Sequence, residues 1–169
     1  MELLPFNDYW KDCFQNEKKL LLEALDGHEV ISIEHIGATS VLMCKTAGTI
    51  DLLCSIQDKI EMFTYKNILA IKGYQYVPSE SNQNCFMFVR KNKDKKIIAT
   101  IRLVEHASDA YMNIVLFKYY LQEGMKAVIK YNDFREALIE KCNGNFKVYQ
   151  KRKKIFIESI LNEYCKVER

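Results

Sequence analysis

The stretch "EHIGATSVLMCKTAGTIDLL", residues 34–53, decides how this 169-residue chain folds. It is entered through "EVISIEHI" (29–36), which alternates and is rich in β-branched residues, as a half-buried strand would be. Gly37 follows at the strand's end, where a sharp backbone turn is most easily made. "TIDLLCSI" (49–56) reads as a second strand carrying one carboxylate, Asp51, 14 residues after Gly37. A tight turn after a buried strand offers backbone N–H groups and the hydroxyls of Thr39 and Ser40 to phosphate oxygens. A carboxylate on the adjacent strand can hold a divalent cation against the same phosphates. The same residues also suit a plain connection, with Thr39 and Ser40 capping the loop backbone and Asp51 hydrogen-bonded on its strand.

Working outward, Asn7 or Asp8 can cap a helix over about residues 8–25, in which Trp10, Phe14, Leu21 and Leu25 recur at helical spacing. "QDKIEMFTYKNILAIKGY" (57–74) reads as a second helix closed by Gly73. "CFMFVRK" (85–91) and "KIIATIRLVE" (96–105) read as an antiparallel hairpin joined by the lysine-rich "KNKDKK". From about residue 109 the pattern is helical only. Ile114, Phe117 and Leu121 mark one helix, Val128, Tyr131, Phe134 and Leu138 a second, and Phe146, Tyr149, Ile157, Ile160 and Tyr164 a third. The expected fold is α+β: one domain over 1–169, with a small mixed sheet and an N-terminal helix to about 107 and a helical part from about 108.

Composition agrees with a compact, element-rich chain: 49% hydrophobic residues, 28% charged, six glycines and two prolines. A net charge of +3 is too small to imply nucleic acid by itself. The six cysteines, at 13, 44, 54, 85, 142 and 165, include no C-x-x-C pair, which argues against a zinc site or a disulfide framework. No apolar run approaches the roughly 20 residues needed to cross a bilayer, and "MELLPFNDYW" lacks the layout of a secretory signal, so a cytoplasmic protein is the expectation. His35, inside a strand, reads as a satisfied core histidine, and three scattered histidines suggest no Ser-His-Asp or Cys-His arrangement.

"LLPFNDYWKDCFQNEKKLL", "IEHIGATSV", "IDLL", "LFKYYL", "YNDFREAL" and "YQKRKKIFIESIL", in this order and spacing, resemble the GrpB-like (UPF0157-type) family over nearly the whole chain. That family looks like a branch of the nucleotidyltransferase (polymerase-β-like) superfamily, in which a Gly-Ser turn binds nucleoside triphosphate and carboxylates on the next strands bind Mg²⁺. The resemblance implies a phosphate-binding set of Gly37, Thr39, Ser40, Lys45, Lys118, Arg135 and Lys153, supported by Tyr131 and Tyr149. It implies Asp51 as the catalytic carboxylate and Mg²⁺ as the cofactor, held by Asp51 with Glu105 as the nearest second ligand.

The sequence also departs from the family's motif, approximately H-I-G-S-T-S-V-P-G-L-x-A-K-P-I-I-D. Ala38 replaces a serine, Leu42 and Met43 replace Pro-Gly, and Ala47 and Gly48 replace Lys-Pro. Larger side chains at 42 and 43 could fill the space that Pro-Gly leaves open. Leu53 stands two residues after Asp51, where transferring members carry a second aspartate, and Thr100 and Arg102 replace an H-x-H pair. Lys118 stands for an arginine and Tyr119 for an aspartate, whereas Tyr149, Lys153, Phe156 and Ile157 keep the pattern Y-x-x-x-K-x-x-F-I.

Lys153 lies four residues after Tyr149 and four before Ile157, on the apolar stripe of its helix. A lysine there either snorkels along apolar surface to water or contacts an anion at the mouth of a site. Lys151, Arg152 and Lys154 read as a solvated face.

The expected function is therefore a nucleotidyltransferase-fold protein that binds a nucleotide or other phosphorylated small molecule, with a degenerate metal site. An active Mg²⁺-dependent nucleotidyl or phosphoryl transferase is the first alternative, and it needs Asp51 and Glu105 within reach of one cation. An RNA- or protein-binding module using the C-terminal lysines and tyrosines is the second.

Overall fold

The computed structural model describes residues 2–57 and 62–167. Helix α1 (Tyr9–Ala24) precedes strand β1 (Val30–Ile36), the turn Ala38–Ser40 and strand β2 (Ile50–Ile56). Helix α2 (Met62–Ile71), β3 (Tyr74–Tyr76) and the hairpin β4 (Cys85–Lys91) and β5 (Ile97–Glu105) follow. Three helices close the chain: α3 (Asp109–Gln122), α4 (Met125–Cys142) and α5 (Phe146–Val167). The elements fall where hydrophobic spacing predicts them, with α1 capped by Asn7, whose Oδ1 accepts from the Tyr9 amide at 2.9 Å. The start expected for α2, residues 58–61, lies outside the described residues. The three-residue strand β3 is an addition; it exists through its pairing with β4 rather than through any pattern of its own.

The sheet order is β1-β2-β5-β4-β3, with β2 and β5 parallel and the other neighbours antiparallel. Alternation then sorts each strand onto two faces. One face carries Ile50, Leu52 and Cys54 of β2, Ala99, Ile101 and Leu103 of β5 and Phe86 and Phe88 of β4, buried with Phe14 and Leu21 of α1 and Leu69 of α2. Glu17 of α1 is buried there too, where Tyr74 and Arg90 donate to its carboxylate and fasten α1 to the far edge of the sheet. The opposite face carries Ile36, Leu53 and Val104 against Val115 of α3. Asp51 shares that second face, and α4 and α5 pack beside α3. A third cluster joins Ala38, Val41 and Cys44 of the β1–β2 connection to Leu121 of α3 and to Val128 and Tyr131 of α4, with Phe156 of α5 against it. That cluster holds the opening stretch between the sheet and the helical half.

Candidate functional site

The turn after β1 is pressed onto Asp51. Gly37 adopts φ 71° and ψ −172°, a conformation in which side-chain-bearing residues are strained. Ile36 and Asp51 are cross-strand partners, and a Cβ added at Gly37 would sit 3.0 Å from Asp51 Cγ and 3.1 Å from its Cβ. On its other side Asp51 Oδ1 accepts from the Thr100 hydroxyl at 2.5 Å, Thr100 being its partner across the parallel β2–β5 pair. The hydroxyls expected to face phosphate are turned inward instead. Ser40 Oγ donates to the Gly37 carbonyl at 2.7 Å. Thr39, 1% exposed, donates to the Thr49 carbonyl at 3.3 Å and meets His35 Nε2 at 2.9 Å. His35 stacks on Phe14 with ring centroids 4.6 Å apart, and burial, with a lesser effect of the Lys118 charge, pushes its pKa down to about 4. It is the neutral core histidine that its strand position predicts.

The connection from residue 43 to 45 is held by α4. Asn132 Nδ2 donates to the Met43 carbonyl at 3.1 Å, and its Oδ1 accepts from the Lys45 amide at 2.9 Å. These bonds hold Met43 at φ 63°, a left-handed conformation uncommon outside glycine and asparagine. Arg135, buried, donates from Nε to the Tyr149 hydroxyl at 3.1 Å and from Nη1 to the Lys45 carbonyl, with its guanidinium 5.1 Å from the Tyr131 ring centre. Arg135 thus braces loop, α4 and α5 with donors that a phosphate was expected to take. Lys45 and Lys118 are also engaged, Lys45 with Glu136 at 2.5 Å and Lys118 with Glu34 at 3.3 Å.

Lys153 differs from all of these. In the run 151–154 it alone turns inward; Lys151, Arg152 and Lys154 are exposed. It lies on the stripe of α5 that carries buried Tyr149 and Phe156, beneath the 38–44 connection. Among the described residues it forms no hydrogen bond or ion pair, yet it is within electrostatic reach of Asp51, Arg135, Arg102 and Glu80. Burial is the main cause that brings its pKa down to about 8, opposed by the Asp51 charge and assisted by the two arginines.

The expected metal pair does not form. In the parallel β2–β5 register Asp51 faces Thr100 and Ile56 faces Glu105, so Glu105 lies five residues farther along, roughly 16 Å at strand rise. Alternation also puts Glu105 on the opposite face from Asp51. No single cation at about 2 Å from each ligand oxygen bridges that gap. Glu34, the carboxylate of β1 on the Asp51 face, is committed to Tyr111 at 2.9 Å and Lys118 at 3.3 Å. Among the described residues no three His, Cys, Asp or Glu side chains come together to hold a metal. The residues around Asp51 do not fit Mg²⁺.

With this geometry in place, residues 1–163 match the family described as "GrpB protein". The chain belongs to the GrpB family. The "Glutamate-rich protein GrpB" of Alkalihalophilus pseudofirmus is 25% identical over 164 residues, covering 95% of this chain and 94% of that protein. The crystal structure of conserved protein GrpB from Enterococcus faecalis covers 99% of both chains at 20% identity, with a TM-score of 0.84. The UPF0157 protein YqkA of Bacillus subtilis is 25% identical over 72% of this chain but only 35% of its own length.

The departures of this GrpB chain from the motif now have positions. Leu53, where a second aspartate would stand, is fully buried against Val104 and Val115, so a carboxylate there would sit in an apolar layer. Leu42 and Met43 do not fill the turn; they are 67% and 54% exposed and project from it. Thr100 and Arg102 share the Asp51 face of β5. Neither Arg102 nor Asn132 stands out in the sequence as a site residue. A cavity of about 430 Å³ at the α3–α4 junction, lined by Tyr120, Glu123, Met125 and Lys130, shares no residue with this cleft. No helix of the described residues is long and apolar enough to cross a membrane.

Proposed function

We propose that this GrpB-family chain binds a nucleotide or other phosphorylated small molecule in the cleft between the Asp51 face of the sheet and helices α4 and α5. The observation that carries this reading is Lys153, a half-buried ammonium without a hydrogen-bond or ion-pair partner among the described residues, within electrostatic reach of two arginines and of Asp51 and Glu80. A buried cation is costly unless an anion compensates it, and a charge left unmatched inside a fold suits a ligand that brings the opposite sign. The resemblance to the nucleotidyltransferase superfamily makes the nucleoside triphosphates the first class to test.

Transfer chemistry is not part of this reading. Two-metal phosphoryl transfer clamps attacking and leaving oxygens between cations held by several carboxylates, and here Asp51 stands opposite Thr100 and two residues from Leu53. The test is a thermal-shift series with each nucleoside triphosphate and with inorganic pyrophosphate on the native chain and on Lys153→Gln. A ligand that binds only the folded state raises the melting temperature by mass action. A shift with any nucleotide or with inorganic pyrophosphate that Lys153→Gln abolishes supports the reading; no shift with any of these sinks it.

A further inference from the structure

The strand register points to a more specific arrangement, which rests on the reading of the cleft as a phosphate site. We infer that Arg102 and Lys153 together form a cationic clamp standing where a metal would be needed, so that this chain takes a terminal, dianionic phosphate without a divalent cation.

A cation held by Asp51 would need a second anionic ligand from a neighbouring strand on the same face. On β2 that position is Leu53, packed under α3. On β5 the two residues nearest in register are Thr100, which spends its proton on Asp51, and Arg102, the parallel partner of Leu53. Arg102 is half-buried, flanked in the sheet by Leu53 of β2 and Met87 of β4, and among the described residues it has no hydrogen-bond or ion-pair partner. Lys153, on α5 between Tyr149 and Phe156, is half-buried within electrostatic reach of Asp51 and Arg102, and among the described residues it is likewise unpaired. The mutual repulsion of the two cations, together with that of Arg135, is one reason the Lys153 ammonium loses its proton more readily than usual. Asp51 and Glu80 are the carboxylates that face them.

Two cations that are unpaired among the described residues, converging on Asp51, itself hydrogen-bonded to Thr100, with Glu80 as the other facing carboxylate, disfavour Mg²⁺ and favour an anion. The guanidinium supplies a planar fork that matches two phosphate oxygens, and the ammonium supplies a point charge for a third. Arg135, buried behind the pair, commits Nε to Tyr149 and Nη1 to the Lys45 carbonyl and is counted here for its field. A terminal phosphate monoester carries the highest charge density on three free oxygens, which suits two donors better than a phosphodiester does.

The experiment titrates the full-length chain with inorganic pyrophosphate in EDTA by calorimetry, then repeats the titration with excess Mg²⁺. Arg102→Gln, Arg102→Lys, Lys153→Gln and the surface control Lys151→Gln/Lys154→Gln are compared, each checked for an intact melting transition. The clamp requires binding in EDTA, a loss of about tenfold or more for each glutamine variant at 102 and 153, partial recovery with Arg102→Lys, and little change in the surface control. Binding that appears only with Mg²⁺, or that survives both glutamine substitutions, overturns the clamp. If nucleotides or pyrophosphate still shift the melting temperature in that case, the phosphate reading of the cleft stands while the clamp falls; if neither does, both fall.

Discussion

Replacing Gly37 with alanine tests the contact on which the cleft is built. At φ 71° and ψ −172° the backbone lies in a region that is essentially glycine's alone, and placing another residue there costs about 1–3 kcal/mol. The new Cβ would also stand 3.0 Å from Asp51 Cγ, closer than carbons pack, so β1 and β2 would have to separate or Asp51 would have to leave Thr100. Adding about 1 kcal/mol for a lost hydrogen bond gives a total of roughly 2–4 kcal/mol. For a chain of this size each kcal/mol lowers the melting temperature by about 2–4 °C, so Gly37→Ala should melt roughly 4–16 °C below the native protein. A double-mutant cycle by calorimetry or circular dichroism separates the two causes. Asp51→Ala removes the carboxylate contacts but keeps the Cβ at 3.1 Å and the backbone strain, so Gly37→Ala/Asp51→Ala should be less destabilised than the sum of the single variants. If Gly37→Ala melts within about 1 °C of the native chain, the account of this turn is wrong.

Asn132→Ala should cost about 1–3 kcal/mol, because it strips partners from the Lys45 amide and the Met43 carbonyl and releases a left-handed residue; Met43→Gly in the same background should recover part of the loss in a urea titration. Glu17→Ala should cost about 3–5 kcal/mol by leaving Arg90 and the Tyr74 hydroxyl without their acceptor, and Glu17→Gln should cost less. His35 predicts a pH dependence. Its folded pKa of about 4 lies below the ordinary 6.5, so the unfolded chain binds the proton first; stability is complete above pH 6.5 and falls by about 2 kcal/mol by pH 5. Urea midpoints at pH 7 and pH 5 should show this slope in the native chain and a shallower one in His35→Gln. Lys153→Met should raise the melting temperature at pH 7 while abolishing anion binding. The native ammonium has a pKa of about 8 against 10.5 in the unfolded chain, so burial costs stability at neutral pH, about 1–3 kcal/mol, and the cost fades as pH rises past 8 toward 10.5. A variant that melts lower than the native protein at pH 7 would make Lys153 a structural contact.

What the sequence displays and what it hides follows from the range of each interaction. Period-two and period-3.6 spacing are local, so α1, β1, β2, the β4–β5 hairpin and the C-terminal helices can be read directly. Strand β3 cannot, because three residues carry no period and only pairing with β4 defines it. The site is harder for the same reason. Gly37 and Asp51 are visible because one is needed at a turn and the other is a lone acid in an apolar run. The hydroxyls of Thr39 and Ser40 look equally suited to phosphate and to their own backbone, and a 3₁₀ turn settles which way they point. Glu105 misleads through proximity in the chain: parity alone separates it from Thr100 and Arg102, but relating that parity to Asp51 requires the β2–β5 register. Asn132 lies mid-helix in a polar run, and nothing local marks it as the peg for a loop 89 residues earlier.

Position by position, the cleft separates residues that hold the fold from residues that only burden it. Arg135, Asn132, Thr39 and Ser40 have partners within the protein, so their cost of burial is offset by bonds they already make. Among the described residues Lys153 and Arg102 make no such bonds, and each places positive charge within electrostatic reach of the other at the inner face of the sheet. Hydrophobic packing on α5 is carried by Tyr149, Phe156 and Ile160, with the lysine contributing only its stem. Asp51, hydrogen-bonded to Thr100, and Glu80 are within electrostatic reach of Lys153, but among the described residues neither forms an ion pair with either cation. A fold optimised only for stability would put an apolar side chain at 153 and a neutral one at 102. On the proposed reading an anion with free oxygens completes the charge, and the two cations stand in for a second carboxylate and its metal: they fix the position of the phosphate without the means to break its bonds.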